Sequence, residues 1–358
     1  MSAPAARTVY FVVPDAIDDP HRVSGGNVYD RHMRDGLRNS GWDVRMVAIA
    51  ERAGPLATRA LSELPDGALV VIDGLIAVRE SGALAVQSIR LRMIVLAHMV
   101  ASLTSVSSPD GIQLTEQEAI ALKSADRVIA TSGWTRSELI SRSLVNPHAI
   151  VTAYPGTDPA PLTVTSRAGG RLLCVGVVAP HKGQDVLVRA LAHLTQVSDW
   201  TCTFVGSLST APDFVADLKQ TVRDEQLATR VSFVGTLAHG ALEAAYGRAD
   251  LVVAPSRTES FGMVVAEALA RGLPVVASRV GGIPEALSSR GAGILVPADD
   301  PTALETLLRE WCASPSLRTK LMAAAVEARA TVRSWNSTLS TIESVLHEVS
   351  RSRTAVWA

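Results

Sequence analysis

Two glutamates, Glu259 and Glu267, bracket the apolar run of the segment PSRTESFGMVVAE, residues 255–267. A carboxylate is costly to bury unless something binds it, so acids beside an apolar run are candidates for ligand contacts. The sequence predicts a strand before RTESFG and a helix after it. Open α/β sheets bind ligands at loops of this kind, which follow the carboxyl end of a parallel strand.

The predicted helix, 261–270, begins between the two acids. A helix N-terminus offers N–H groups and a partial positive charge that suit a phosphate, and Gly262 lets an anion approach the backbone closely. Glu267 lies eight residues after Glu259, a rotation of about 80°, so both acids can border one cleft. Two ordinary explanations stay open, because Glu259 could complement the helix dipole and Glu267 could be a solvated helix residue. The apolar surroundings of Glu267 in VVAEALA favour a ligand or an internal partner.

The elements that position these residues alternate between short apolar runs and amphipathic stretches. Strands are predicted at 8–14, 43–49, 68–74, 92–98, 127–132 and 149–156, and again at 171–176, 200–206, 230–235, 250–256 and 274–278. Strands without a polar face, separated by helices, are typical of doubly wound parallel sheets. Segment 155–170 is rich in Pro, Gly, Ser and Thr, which indicates a linker. We therefore predict α/β domains at 1–156 and 171–333, a linker at 157–170 and an amphipathic C-terminal helix within 334–358.

The composition excludes several classes of function. The chain has 358 residues and a net charge of −1, which gives no electrostatic footprint for nucleic acid. The N-terminus lacks the basic start and apolar run of a signal peptide, and no run reaches the ~18 apolar residues of a membrane-spanning helix. We expect a cytoplasmic protein without a transmembrane segment. No convincing Asp-x-Asp or His/Cys cluster indicates a metal site.

A resemblance adds to this interpretation. PSRTESFGMVVAEALARGLPVVASRVGGIPEAL resembles the Glu-x7-Glu signature of retaining glycosyltransferases with the GT-B fold, specifically glycosyltransferase family 4. The likeness extends to the SGGN loop (24–27), the strand-end His98, the stretch VGVVAPHKGQDVLVRAL (175–191) and the VGTL turn (234–237). It implies two Rossmann-like domains facing across a cleft, with the last helix crossing back to the first domain. It also implies no metal or other cofactor, only a nucleotide diphosphate sugar as co-substrate.

The resemblance implies a role for each matching residue of the second half. Glu267 would bind the ribose hydroxyls, and Glu259 would contact the hydroxyls of the donor sugar near the reacting centre. The backbone amides of Phe261, Gly262 and Met263 would hold the diphosphate.

Four further residues receive roles in the same way. Lys182 would neutralise the charge that grows on the leaving diphosphate; it is one of only four lysines among 34 basic residues. Gly25 and Gly26 would bring the N-terminal loop against the phosphates, and His98 would orient the donor sugar near C6. Each has an ordinary alternative: a turn, a solvated cation or a structural histidine. The motifs gain weight jointly, because they occur in the order and the halves that the family requires.

The sequence departs from the family at one position. Many members carry an arginine directly after the glycine of the VG strand, whereas here Val177 follows Gly176. Three explanations stay open: His181 supplies the missing charge, Arg257 supplies it, or the donor is held more weakly.

We expect a bacterial retaining enzyme that moves a hexose-type sugar from a UDP- or GDP-sugar to a hydroxyl of a small-molecule or lipid-linked acceptor. No residue stands out as a nucleophile, so catalysis would rest on positioning and charge stabilisation. The N-terminal loops, such as 15–27 and 99–115, would select the acceptor. The alternatives are a phosphorylase, a sugar-nucleotide hydrolase or epimerase, and a non-catalytic nucleotide-sugar-binding module.

Overall fold

The first sheet consists of six parallel strands in the order β2-β1-β3-β4-β5-β6. The strands are β1 (Thr8–Pro14), β2 (Asp43–Ile49), β3 (Leu69–Asp73), β4 (Arg92–Ala97), β5 (Arg127–Ala130) and β6 (Ile150–Thr152). The helices between them are α1 (Gly25–Asn39), α2 (Leu56–Glu63), α3 (Gly74–Arg79), α4 (Ser81–Gln87), α5 (Gly111–Lys123) and α6 (Gly133–Ser141). All five residues of β3 are buried, as expected of a strand that is covered on both faces.

The second sheet has the same construction, with six parallel strands in the order β12-β11-β10-β7-β8-β9. They are β7 (Arg171–Val175), β8 (Thr201–Val205), β9 (Val231–Phe233), β10 (Leu251–Ala254), β11 (Val275–Ser278) and β12 (Gly293–Val296). Its helices are α7 (Gln184–Ala192), α8 (Pro212–Asp224), α9 (His239–Gly247), α10 (Met263–Ala270), α11 (Ile283–Leu287), α12 (Pro301–Ala313) and α13 (Pro315–Ala328). Trp200, Trp311 and Tyr246 are the largest fully buried side chains of this half of the chain.

The computed structural model describes residues 7–20, 22–50, 56–105, 111–194, 196–197, 199–287 and 291–352. The chain forms two compact units: the first contains the chain up to Asp19, Gly25–Gly156 and the chain from Ser334 on, and the second contains Pro20–Ser24 and Thr157–Arg333. Residues 157–170 contain no helix or strand. Within the described ranges, no helix is long and apolar enough to cross a membrane.

The last helix, α14 (Trp335–Ser352), packs on the first unit. Its buried aliphatic side chains, Ile342, Val345, Leu346 and Val349, form one face at helical spacing. At its start, the Trp335 ring stacks on His32 with centroids 4.0 Å apart. The first unit is therefore built from both ends of the described chain. Its last element is α14, the helix that the amphipathic pattern of the tail predicts.

Candidate active site

The order of the second sheet reverses between β7 and β10, which are neighbours although β8 and β9 lie between them in the chain. The chain runs outward from β7 on one side and from β10 on the other. Ligands of open α/β sheets bind at such a switch point, outside the carboxyl ends of the strands. The loops that follow β7 and β10 carry Lys182 and Glu259 respectively.

These two loops are joined backbone to backbone. Gly183 has φ +64°, and a Cβ on it would lie 2.2 Å from the carbonyl oxygen of Pro255. The carbonyl oxygen of His181 accepts the N–H groups of Arg257 (2.8 Å) and Thr258 (3.3 Å). Only glycine fits at position 183, so the PHKG turn can lie directly against the end of β10.

The Lys182 ammonium donates a hydrogen bond to the Glu259 carboxylate, and the two side chains form an ion pair. Their side chains are 24% and 20% exposed, so the pair lies at the edge of solvent rather than in the core. Both residues line a small cavity together with Gly262 and Ile283. The two charged groups to which the resemblance gives roles at phosphate and sugar are thus in direct contact.

The start of α10 forms the third side of this site. Gly262 has φ +96°, where a side chain is strained, and a Cβ there would lie 3.2 Å from Ile283 Cγ1. Its carbonyl oxygen accepts the N–H of Val265 at 2.9 Å. Phe261 is buried, and Met263 is the first helical residue. The helix N-terminus that suits an anion therefore begins directly beside the Lys182–Glu259 pair.

Gly281 and Gly282, in the loop after β11, pack against the backbone of the loop that carries Glu259. Gly281 has φ +53°, and a Cβ on it would lie 1.7 Å from the carbonyl oxygen of Glu259. The N–H of Gly282 donates to that same oxygen at 3.0 Å. The backbone position of Glu259 therefore depends on two residues without side chains.

Glu267, two turns into α10, has an internal partner. The hydroxyl of Tyr246, on α9, donates to Glu267 Oε2 at 2.7 Å. Arg271 donates to the backbone oxygen of Glu267 at 2.7 Å, lies over the Tyr246 ring at 4.3 Å and pairs with Glu243. Burial raises the pKa of Glu267 above its ordinary value, and the Tyr246 hydrogen bond opposes that rise. One carboxylate oxygen is thus held in place, which leaves the other, Oε1, able to accept from a ligand.

In the first unit, His98 follows β4 near the switch point between β1 and β3. Its Nε2 lies 2.9 Å from Asp30 Oδ1 and 3.7 Å from Asp73 Oδ2. A Cβ on Gly26 would lie 3.4 Å from Cδ2 of the same ring, and Gly25 is the exposed first residue of α1. The glycine pair begins the helix itself, so the structure brings Gly26 and His98 together.

The imidazole of His98 is in an unusual electrostatic setting. Burial lowers the pKa of His98, but the carboxylates of Asp30 and Asp73 raise it by more, so the pKa lies above its ordinary value. Burial raises the pKa of Asp73. The three side chains offer atoms within 4.8 Å of one another, but Asp30 already binds the ring nitrogen that faces it. The expectation that no metal is required stays a prediction.

Residues 169–328 match the family described as Glycosyl transferases group 1. These residues form a group 1 glycosyl transferase domain. It contains six of the predicted site residues, namely Lys182, Glu259, Phe261, Gly262, Met263 and Glu267. His98, Gly25 and Gly26 lie outside the matched range, in the first unit.

Curated relatives extend the likeness beyond the group 1 domain. A D-inositol 3-phosphate glycosyltransferase of Kineococcus radiotolerans is 33% identical over 276 residues, which cover 69% of this chain and 62% of that protein. The protein of the same name from Mycolicibacterium gilvum is 34% identical over 255 residues, 68% of this chain and 56% of that protein. The chain thus matches little more than half of the length of these relatives.

Solved structures agree on the fold. Sucrose-phosphate synthase from Thermosynechococcus elongatus superposes with a TM-score of 0.80 at 22% identity, over 96% of this chain and 99% of that chain. HepE from Anabaena, solved in complex with UDP and glucose, superposes with a TM-score of 0.76 at 19% identity, over 96% of this chain and all (100%) of that one. The GT-B fold with two doubly wound domains, as predicted, is confirmed.

Within the group 1 domain, the two residues considered as substitutes for the arginine missing at Val177 are poorly suited to that role. The Arg257 guanidinium is paired with Asp185 at 2.7 Å and Asp299 at 2.8 Å, so two carboxylates already neutralise its charge. Burial, and then the Lys182 charge, lower the pKa of His181, which favours a neutral ring at pH 7. Lys182 therefore remains the principal candidate for the phosphate cation of the group 1 domain.

Sequence reasoning missed the partners of the site residues. Tyr246 and Asp30 were not identified, because nothing in their local sequence sets them apart. An acid near the start of a helix looks like an ordinary dipole partner, whereas the structure places Asp30 in the second turn of α1, where it is buried. Asp73 gave a usable signal, since it is a polar residue that ends an apolar strand.

Proposed function

We propose that this protein is a retaining glycosyltransferase that moves a hexose-type sugar from a UDP- or GDP-sugar to a hydroxyl of a small-molecule or lipid-linked acceptor. The observation that carries the proposal is the Lys182–Glu259 ion pair at the switch point of the second sheet. It lies beside the N-terminus of α10, and Glu267 is on the same helix. The cation and the helix N-terminus suit the phosphates of a nucleotide sugar. The two acids suit the hydroxyls of its sugar and of its ribose.

The donor would lie along α10. Its diphosphate would accept hydrogen bonds from the backbone at the start of the helix and from Lys182, and its ribose hydroxyls would donate to Glu267. The complex of HepE with UDP and glucose supports a uridine donor as the first to test. A donor diphosphate would compete with Glu259 for Lys182, which would free the carboxylate for the hydroxyls of the sugar.

The reaction would be a substitution at the anomeric carbon on one face of the sugar. The bond from this carbon to the diphosphate oxygen breaks, the acceptor oxygen forms its bond on the same face, and the acceptor proton passes to the leaving diphosphate. Lys182 would stabilise the negative charge that grows on the leaving group. Glu259 would act by orienting the donor sugar, which is positioning rather than covalent catalysis.

The acceptor would be selected by the first unit. The names of the curated relatives make D-inositol 3-phosphate the first acceptor to test, beside neutral sugars and cyclitols. Val177 supports a second candidate, a nucleotide-sugar-binding module without turnover, because one expected positive charge on the diphosphate is missing.

Calorimetric titration with UDP-, GDP- and dTDP-sugars, followed by transfer assays on the acceptor panel, tests the proposal. We expect one nucleotide sugar to bind and the anomeric configuration of its product to match that of the donor. Inversion of configuration would contradict the retaining mechanism. Binding without turnover on every acceptor would favour the binding module, and the absence of any nucleotide binding would overturn both.

A further inference from the structure

Three buried acids, Asp30, Asp73 and Glu118, surround His98 and differ in their hydrogen-bond partners. Asp73 is the N-cap of α3 and accepts the N–H groups of Leu75 and Ile76. Glu118, which lines the cavity beside His98, accepts the N–H groups of Ala101 and Ser102. Both acids therefore hold backbone in place and would be required for the fold alone.

Asp30 has no such duty. It is 1% exposed, and its Oδ1 is hydrogen-bonded to His98 Nε2 at 2.9 Å. Its second oxygen, Oδ2, is buried without a hydrogen-bond partner among the described residues. A buried carboxylate oxygen without a partner is costly, so backbone support of the fold does not account for an acid at this position.

We propose that Asp30 is a positioning residue that fixes the tautomer of His98, so that Nδ1 is the ring nitrogen offered to the substrate. Asp30 accepts the Nε2–H proton, because a carboxylate cannot donate one. In the neutral ring, Nδ1 is then an acceptor, and in the charged ring it is a donor. The proposal depends on the proposed function in one respect: the substrate group that Nδ1 would contact is a hydroxyl of the sugar or of the acceptor.

The charges that face the ring support this assignment. Asp30 approaches from α1 and Asp73 from the end of β3, with Glu118 of α5 on the adjacent cavity. The Tyr29 ring meets the imidazole edge-on at 5.3 Å, and its hydroxyl donates to Ala153 rather than to the histidine. Both Asp30 and Asp73 make their contact with the ring at Nε2, so together they favour a proton on that nitrogen.

The direct test is nitrogen NMR on protein labelled at its eight histidines, with His98→Gln identifying the His98 signals. The wild-type ring should carry its proton on Nε2 and titrate above the ordinary histidine pKa. Asp30→Asn should lower the pKa of His98, since an opposite charge is lost, and should change the Nδ1/Nε2 protonation ratio. Unchanged His98 signals in Asp30→Asn would overturn the proposal.

Asp126→Asn is the matched control. Asp126 accepts the N–H of Met93 at 2.8 Å, so its loss tests a structural acid of the same unit. It should change thermal stability without changing the nitrogen shifts of His98. If both variants alter those shifts alike, Asp30 has no special role.

A kinetic cycle supplies the second readout. Asp30→Asn should lower kcat more than it raises the donor KM, and should move the pH profile of kcat toward lower pH. In a His98→Gln background, the same substitution should have no further effect, because its partner is gone. Independent, multiplying effects would show that Asp30 acts on the fold instead. The NMR test requires no substrate, so it can succeed or fail separately from the proposed transfer reaction.

Discussion

At the scale of single residues, the ion pair of Lys182 and Glu259 is the central feature. Both side chains are partly exposed, and pairs of this kind contribute on the order of 0–1 kcal/mol to stability. Substitution of either residue should therefore leave the fold intact. Such variants report on the chemistry of the site rather than on folding.

Glu259→Ala should reduce transfer by at least about 100-fold, as expected for the loss of a positioned polar group, with little change in melting temperature. Steady-state kinetics with the donor found by titration measures this effect. Glu305→Ala removes a partly exposed glutamate that pairs with Arg309 in the same unit and should retain wild-type turnover. Full activity of Glu259→Ala would remove this residue from the site.

Tyr246→Phe should weaken UDP binding by about 10-fold, the value of one lost hydrogen bond. The Tyr246 hydrogen bond holds down the pKa of Glu267, which burial raises. Without the hydroxyl, the pKa of Glu267 rises further. As the solution is acidified, the variant therefore loses the ionised carboxylate, and with it UDP binding, at a higher pH than the wild type does. Titrations from pH 8 to pH 5 measure this difference.

A ligand that lacks the two ribose hydroxyls is the control for the Tyr246→Phe variant. The wild-type protein should prefer UDP to its 2′,3′-dideoxy analogue, and Tyr246→Phe should reduce the preference while it leaves binding of the analogue nearly unchanged. Equal weakening for both ligands would place the effect outside the ribose contact.

At the scale of elements, the site depends on loops that touch through backbone. Gly183 lies against Pro255, and Gly281 lies against Glu259, at distances that no side chain allows. The loops after β7, β10 and β11 therefore form one connected layer. A methyl group in that layer should displace Glu259 without reaching the core.

Gly281→Ala should lower donor affinity by at least about 10-fold, because the added Cβ overlaps the carbonyl oxygen of Glu259 and must move the loop. Gly41→Ala is the control, since Gly41 also has positive φ (+87°) but nothing lies within 4 Å of its added Cβ. Both variants should lose about 1 kcal/mol of unfolding free energy from backbone strain. Gly281→Ala should lose more than Gly41→Ala because of the overlap, and only Gly281→Ala should change binding. Titration calorimetry and urea denaturation separate the two effects.

Most strands could be predicted from sequence, because buried parallel strands are continuous apolar runs. β12 was not predicted, because its sequence GILV is only four residues long and begins with a glycine, a residue type that is depleted in strands. The fold and the signature loop could be predicted because both depend on local sequence patterns. The Tyr246–Glu267 and Asp30–His98 contacts join residues 21 and 68 positions apart, and only the tertiary fold sets such distances.

At the scale of the whole molecule, α14 is the element that joins the far end of the chain to the first unit. Its Leu339 lies over Gly36 of α1 so closely that an added Cβ would stand 2.2 Å from Leu339 Cδ1. The two helices therefore meet at a glycine. The stability of the first unit should respond to the size of that residue.

Gly36→Ala should lower the free energy of unfolding by about 1–3 kcal/mol, the usual cost of overpacking, because Leu339 must move. Gly82→Ala is the matched control: it is exposed in α4 with nothing within 4 Å, and alanine there should stabilise the helix by about 0.5–1 kcal/mol. Urea denaturation measures both changes. A Gly36→Ala protein at least as stable as the wild type would show that α14 docks more loosely.

The division of the chain between the units also sets an order of assembly during translation. The second unit is continuous from Thr157 to Arg333, apart from the short segment Pro20–Ser24, so its sheet can form as soon as that stretch leaves the ribosome. The first sheet is synthesised earlier, yet the apolar face that receives α14 stays uncovered until Trp335–Ser352 has emerged. Domains generally fold in the order of synthesis, but here the half that is made first is completed last. The apolar surface that stays exposed during that interval is where a chaperone would bind the nascent chain.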